Sequence, residues 1–157
     1  MSNIWHNKRI LYNFFSPSET LRLHTVVPTL IRQCAEDYVV PGYPQYKIAK
    51  GMSVMVAAGA LHRDPTIYAR PTEFYPEHFA PDQVAARETA SFLAFGDGPR
   101  NCIGARFGKL QSRIGLALLV KNYRLSLGSQ TPKKLEADIK SFMMAPDGDI
   151  VLRVEKI

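Results

Sequence analysis

The ten residues 95–104, FGDGPRNCIG, decide which fold this chain is predicted to have. Three glycines and a proline surround one cysteine, Cys102, directly before a stretch with helical periodicity. Apolar residues of that stretch recur at spacings of four, three, four and three, which places them on one helix face. They are Ile103, Phe107, Leu110, Ile114 and Ala117. The sequence therefore predicts a glycine-rich loop followed by a buried helix over residues 103–121.

Three common glycine-rich or cysteine-containing motifs do not fit this loop. Asn101 stands where the dinucleotide-binding pattern GxGxxG requires its third glycine. The phosphate-binding loop fails because the segment from Gly104 to Gly108-Lys109 is one residue too short and is followed by Leu110. A zinc site is not favoured either, since no second cysteine or histidine lies at ligand spacing.

A lone cysteine at the start of a helix is suited to bind a metal as a thiolate. The unpaired N–H groups and the positive dipole end of a helix N-terminus favour thiolate over thiol. Glycines let a large flat group approach the backbone, and Arg100 can pair with a carboxylate through charge-assisted hydrogen bonds. A thiolate, a flat apolar surface and a carboxylate partner together describe the binding of haem with its propionates. A buried free cysteine beside a turn is the alternative.

The pattern Phe95-x-x-Gly98-x-Arg100-x-Cys102-x-Gly104 resembles the haem-binding signature of the cytochrome P450 superfamily. The continuation ARFGKLQSRIGLALL is similar to that of microsomal, insect-type members. The resemblance implies haem b (iron protoporphyrin IX) as the cofactor and Cys102 as the axial ligand of its iron. It also places Phe95, Gly98, Arg100 and Gly104 in cofactor-binding positions. For Phe95, an ordinary core role is the alternative.

Further residues take roles from the same resemblance. Arg32 is implied as a second propionate partner and His62 as another; an exposed strand arginine and a capped turn are the alternatives. Glu19 and Arg22 lie three apart on one helix face and match the family's Glu-x-x-Arg motif, which forms a buried structural ion network. The third member in the family is the arginine of Pro-Glu-Arg-Phe. Here His78 stands in its place, and a neutral imidazole can donate one hydrogen bond but cannot form a bidentate fork.

The resemblance implies a haem-thiolate monooxygenase that inserts one oxygen atom from O2 into a small hydrophobic substrate. Its electrons would come from a flavin-containing reductase. Arg106, Lys109 and Arg113, at spacings of three and four, predict a basic stripe on the helix that follows Cys102. Such a stripe could dock an acidic reductase; a merely solvated helix face is the alternative.

By this resemblance, the chain is the incomplete C-terminal part of the family's fold, mainly α with a small antiparallel β region. Residues 1–18 do not match, and residues 19–157 form the haem-binding part. The upstream part, with the membrane anchor, most of the substrate pocket and the distal helix, is not recognised here. The family implies the cytoplasmic face of the endoplasmic reticulum membrane; a chain without the anchor could be cytosolic. We expect these 157 residues alone to lack monooxygenase activity and to expose part of the 103–121 helix.

The remaining secondary structure is predicted from local signals. A short helix is expected to start near Glu19, capped by Ser16 or Ser18, and to end before Pro28. A small antiparallel sheet is expected over residues 29–58, followed by a proline-rich meander over residues 62–82. Turn signals at Pro41-Gly42 and Lys50-Gly51 bound the strands, and Asp147-Gly148 predicts a hairpin turn before a C-terminal strand.

Composition leaves other functions open. The net charge of +6 favours an acidic partner, such as a nucleic acid, an anionic membrane or an acidic protein, or reflects a solvated surface. A nucleic-acid-binding module is not favoured, because the basic residues are spread out and the aromatic residues lie in the meander. Cys34 and Cys102 are expected to be free thiols, with Cys34 a small buried strand residue. A non-catalytic haem-binding fragment remains the alternative to an enzyme.

Overall fold

The computed structural model describes residues 16–132, 138, 141 and 143–157. Residues 16–23 are helical (α1), so this helix already includes Ser16 and Pro17, ahead of the predicted start near Glu19. The longest helix, α4, spans Ala105–Asn122 and begins two residues later than predicted. The Cys102 carbonyl accepts the N–H of Ala105 in a tighter three-residue turn, and the Gly104 carbonyl accepts the N–H of Gly108 in the helical i to i+4 pattern. Two short helices lie between them, α2 (Ala58–Leu61) and α3 (Pro81–Ala86).

The predicted antiparallel sheet over residues 29–58 is confirmed and consists of two ladders. The first pairs β1 (Leu30–Gln33) with β4 (Ser53–Val56), and the second pairs β2 (Tyr38–Val39) with β3 (Lys47–Ile48). The apolar run that starts at Met52 leaves the sheet after β4 and continues into α2.

The C-terminal strand is confirmed, whereas the first arm of a hairpin at Asp147-Gly148 would fall largely outside the described residues. Strand β6 (Leu152–Lys156) pairs antiparallel with β5 (Tyr123–Leu127), which directly follows α4. Gly148 bends the chain with a φ of 95° ahead of β6. Among the described residues, the fold therefore combines helices with three small antiparallel sheets, as the predicted α+β class requires.

The buried residues of the described chain gather where α1, α2 and the meander meet. The apolar members are few, and polar side chains form most of the rest: Leu23, Ala58, Tyr68 and Leu93 beside Glu19, Arg22, Thr25, His62, His78 and Ser91. This part of the molecule therefore relies on hydrogen bonds among buried polar groups as well as on apolar contact.

Helix α4 is exposed on the face that the sequence predicted to be buried. Phe107 is 70% exposed, Leu110 57% and Ile114 52%, and Ile103 before the helix is fully exposed. The expectation of a buried helix is wrong for this chain, because no element of the part that the structure describes covers that face. The expected partial exposure is confirmed. We call Phe107, Leu110 and Ile114 the α4 apolar face.

Within the described ranges, none of the helices has both the length and the apolar character that crossing a lipid bilayer demands.

Candidate functional site

The glycine-rich loop closes on itself through backbone hydrogen bonds. The N–H of Cys102 donates to the carbonyl of Phe95 at 2.8 Å, which brings the two ends of the loop together. Gly96 and Gly98 take positive φ angles of 70° and 74°, a region that favours glycine. The Asp97 carboxylate accepts the N–H of Gly98 at 2.8 Å. The sequence thus forms a compact loop that ends at the cysteine.

Cys102 is exposed and stands just before α4. Its carbonyl accepts the N–H of Ala105 at 3.2 Å, so the cysteine is joined to the first turn of the helix. A Cβ added at Gly104 would lie 3.9 Å from Sγ of Cys102, in van der Waals contact with the sulfur. Glycine at this position leaves that side of the sulfur open, as a large flat ligand requires.

Arg32 lies beside the loop although it is far from it in sequence. Its Nη2 is 4.0 Å from the position that a Cβ on Gly96 would occupy, and its Nη1 donates to the Ile31 carbonyl at 2.9 Å. Arg100 is exposed at the end of the 3-10 turn Gly98–Arg100. Two guanidinium groups are therefore available on one loop and its neighbouring strand to bind carboxylates.

Phe95 is half-buried, and its ring contacts α4. The Lys109 Nζ lies over this ring, 5.1 Å from its centroid, in a cation–π arrangement. Of the predicted basic stripe, Arg106 is exposed, whereas Lys109 and Arg113 are half-buried. The stripe thus presents one fully exposed cation and two that are partly packed against the protein.

The Glu19–Arg22 pair is fully buried. Arg22 donates from Nε and Nη2 to the two carboxylate oxygens of Glu19, at 2.9 and 2.8 Å. Its remaining N–H groups reach the carbonyls of His62, Pro71 and Glu73 at 2.7, 2.7 and 2.9 Å. All five guanidinium donors are satisfied, as a buried ion pair requires.

His78 joins this pair as the third member. Its Nδ1 lies 3.2 and 3.3 Å from the two oxygens of Glu19, and its Nε2 contacts the carbonyl of Ala69. The ring packs edge-on against Tyr68 and Tyr75. An imidazole therefore occupies the place of the family's arginine by bridging two separate acceptors instead of forming a bidentate fork.

These contacts control the ionisation of Glu19. Burial alone would raise its pKa. Hydrogen bonds from Arg22 and from the Tyr75 N–H, together with the charges of Arg22 and His78, outweigh burial and hold the pKa of Glu19 below its usual value. Glu19 is therefore an ionised structural group rather than a proton donor or acceptor.

His62 lies elsewhere than the propionate role requires. The side chain is fully buried, and both ring nitrogens contact protein groups: Nδ1 is 2.7 Å from Thr25 Oγ1, and Nε2 accepts the N–H of Leu93 at 2.8 Å. Burial, followed by the charge of Arg22, lowers the pKa of His62 to about 4. We correct the sequence-based role accordingly: neither ring nitrogen is available for a propionate, because tertiary contacts within the chain use both.

Two contributors to the site were not predicted from the sequence. Tyr68 is fully buried and donates to the Ser91 carbonyl at 3.0 Å, and its ring centroid lies 5.0 Å from Cζ of Arg22 and 4.6 Å from Cζ of Arg87. Thr25 contacts the ring of His62. The interleaved aromatic residues of the meander indicate packing for Tyr68, whereas no local signal identifies Thr25.

The donor set around Cys102 fits a metal that arrives with most of its own ligands. Within the described ranges, no three His, Cys, Asp or Glu side chains gather as a metal site would require. A single exposed cysteine next to two arginines suits haem, because the porphyrin supplies four ligands and two carboxylates.

Comparisons with known proteins agree with this geometry. A family model described as Cytochrome P450 matches residues 17–153. Cytochrome P450 6a8 of Drosophila melanogaster is 52% identical over 139 residues, which is 88% of this chain and 28% of the fly protein. Probable cytochrome P450 6a21 of the same organism is 49% identical over 140 residues, and Cytochrome P450 6A1 of Musca domestica is 43% identical over 142; each covers 89% of this chain and 28% of the relative.

This chain therefore spans little more than a quarter of the length of these curated relatives. The family match nevertheless extends over most of its residues and includes both the cysteine loop and the Glu19–Arg22 pair. The chain belongs to the cytochrome P450 family.

Proposed function

We propose that this chain is the haem-binding part of a haem-thiolate monooxygenase and that Cys102 is the axial ligand of haem b. The observation that carries the proposal is the exposed Cys102 at the start of α4, in a loop closed by its own N–H and the Phe95 carbonyl. When haem is bound, thiolate ligation donates electron density to the iron and favours cleavage of the O–O bond.

The residues around Cys102 would hold the cofactor. Arg32 and Arg100 would bind the propionates, since both are exposed on the loop side and can form charge-assisted hydrogen bonds. Gly98 and Gly104 would let the flat ring approach the backbone, and Phe95 would shield the sulfur from water. These contacts would orient the cofactor at Cys102.

The reaction of the longer protein would insert one atom of O2 into a small hydrophobic substrate. Two electrons and two protons would reduce the other oxygen atom to water. We assign ligation of the iron and the contacts to the cofactor to the described residues. We assign the delivery of protons to none of them. By itself, the chain would therefore be a haem-binding fragment without coupled turnover, because reactive species escape when water enters an open site.

A flavin-containing reductase would supply the electrons through the basic stripe of Arg106, Lys109 and Arg113. The stripe lies on the helix that follows the ligand, and Lys109 contacts the Phe95 ring, so a docked acidic partner would stand close to the thiolate. By analogy with microsomal relatives, the longer protein would act at the cytoplasmic face of the endoplasmic reticulum membrane.

The test is turnover in a chimaera in which residues 17–153 replace the matching region of cytochrome P450 6a8. With a reductase and a reduced nicotinamide cofactor, the chimaera should oxidise a fluorogenic hydrophobic probe, whereas the 157-residue chain should not. Cys102→Ser should abolish turnover, with Cys34→Ser as the matched control that retains it. Normal turnover by the Cys102→Ser chimaera, or by the isolated chain, would overturn the proposal.

A further inference from the structure

The two hydrogen bonds of the His62 ring determine its protonation. The backbone N–H of Leu93 can only donate, and it points at Nε2 over 2.8 Å. Nε2 must therefore carry its lone pair, and in the neutral ring the proton lies on Nδ1. That proton is donated to Thr25 Oγ1 at 2.7 Å. The protein environment thus selects one tautomer of a buried, neutral imidazole.

On one side, this ring is attached to the end of α1. Thr25 Oγ1 donates in turn to the Arg22 carbonyl at 3.1 Å, and Arg22 Nη1 donates to the His62 carbonyl at 2.7 Å. The Phe92 ring stacks on the imidazole with centroids 5.2 Å apart, which fixes the plane of the ring. His62 is therefore held rigidly by the same buried groups that surround the Glu19–Arg22 pair.

On the other side, the ring holds the backbone that leads into the cysteine loop. Leu93 donates to His62 Nε2, and its carbonyl accepts the N–H of Gly96 at 2.9 Å. The carbonyl of Phe95, inside this turn, accepts the N–H of Cys102 at 2.8 Å. One series of hydrogen bonds thus runs from α1 through the imidazole to the cysteine.

We propose that His62 is a positioning residue whose neutral, Nδ1-protonated ring anchors the 93–96 turn and thereby sets the position of Cys102. The role in ligation rests on the proposed function, whereas the anchoring itself does not. The charged groups that face the ring are Arg22 from α1 and Arg63 from the segment after α2, and both disfavour an imidazolium.

Two substitutions separate this role from simple packing. In His62→Gln the amide group reaches the region of Nε2, so its oxygen can still accept the N–H of Leu93. In His62→Asn the shorter side chain reaches only the region of Nδ1, so it can contact Thr25 but not Leu93. Both variants place a polar amide in the same buried space, and they differ in the bond to the loop.

The experiment measures amide hydrogen exchange and imidazole 15N shifts in the labelled 157-residue chain. We expect the wild-type ring to show the Nδ1–H tautomer and the amide of Leu93 to be protected. His62→Gln should retain this protection, whereas His62→Asn should speed exchange at Leu93, Gly96 and Cys102 about tenfold, the equivalent of one lost hydrogen bond. The β5–β6 amides should remain unchanged, which distinguishes local release from global destabilisation.

Several results would overturn the proposal. They are an unprotected Leu93 amide in the wild-type chain, an Nε2–H tautomer, equal exchange in the two variants, or faster exchange at Leu93 that does not extend to Cys102. None of these measurements requires haem. Loss of thiolate ligation with intact protection at Leu93 and Cys102 would count against the proposed function and leave the anchoring in place.

Discussion

The buried polar cluster and the α4 apolar face differ in whether the described residues supply the contacts that their side chains need. In the polar cluster, formed by Glu19, Arg22, Thr25, His62 and His78, every member has hydrogen-bond partners from this chain. The α4 apolar face, in contrast, exposes large side chains to solvent. Residues 16–93 thus supply the hydrogen-bond partners of the polar cluster. The α4 apolar face, next to the cysteine loop, is not covered by any of the described residues.

This difference separates two tasks that one family domain must perform. We infer from the contacts of His62 that the polar cluster positions the cysteine loop, and the hydrogen-bond partners that carry this inference lie within residues 16–102. The α4 apolar face gains stability only when another surface removes it from water, at roughly 25 cal/mol per Å2 of apolar area. Exposed apolar surface of this kind promotes association.

Breaking the polar cluster should have the largest effect. Glu19→Ala leaves the guanidinium of Arg22 buried without its counter-ion, and we expect it to lower the free energy of unfolding by about 3–5 kcal/mol. The matched control is Glu73→Ala, because Glu73 forms a 3.9 Å ion pair with Arg70 in which both side chains are largely exposed. That change should cost less than about 1 kcal/mol. Urea denaturation measures both, and equal losses would contradict the assigned importance of the cluster.

Acidification should weaken the cluster through His62. Its pKa is lowered from 6.5 to about 4 in the folded chain, so the unfolded state binds the proton more readily. The contribution of His62 is complete above pH 6.5 and is lost as the pH falls toward 4, by up to about 3 kcal/mol. His62→Gln cannot take up this proton, so its stability should fall less steeply between pH 6.5 and 4.5. Parallel pH profiles for the two proteins would refute the predicted linkage.

Changes on the α4 apolar face should have the smallest effect on stability. Leu110→Gln combined with Ile114→Gln should shift the unfolding free energy of the isolated chain by less than about 0.5 kcal/mol per site, because both side chains are exposed. In sedimentation experiments, the doubly substituted chain should show less self-association than the wild-type chain. In the chimaera we expect the same pair of substitutions to be clearly destabilising, because we expect other parts of the relative to pack against this face. A large loss of stability in the isolated chain would mean that the face is already packed.

The sequence predicted the local features of the site well, because each depends on residues close together in the chain. The loop around Cys102, the helix after it and the antiparallel strands near Arg32 follow from turn residues and periodicity. The strand Tyr123–Leu127 was missed even though apolar residues alternate along it. Directly after a long helix, so short an alternation is easily taken for its last turn.

Burial and tertiary contacts could not be predicted in the same way. The apolar period of α4 indicates a face to be covered, but not whether this chain covers it. The family resemblance implied a propionate role for His62, and the local sequence could not reveal its actual partners because Thr25 and Leu93 lie 37 and 31 residues away. Such hydrogen bonds depend on the complete fold and leave no signal in the local sequence.

Thiolate ligation by Cys102 is tested most directly by the absorption spectrum of the reduced, carbon-monoxide-bound chimaera. The account predicts a thiolate-type Soret band in the wild-type chimaera and in Cys34→Ser. In Cys102→Ser, any haem that remains bound should give the band of a ligand other than thiolate. An unchanged Soret band in Cys102→Ser would contradict the account, because another residue would then be the ligand.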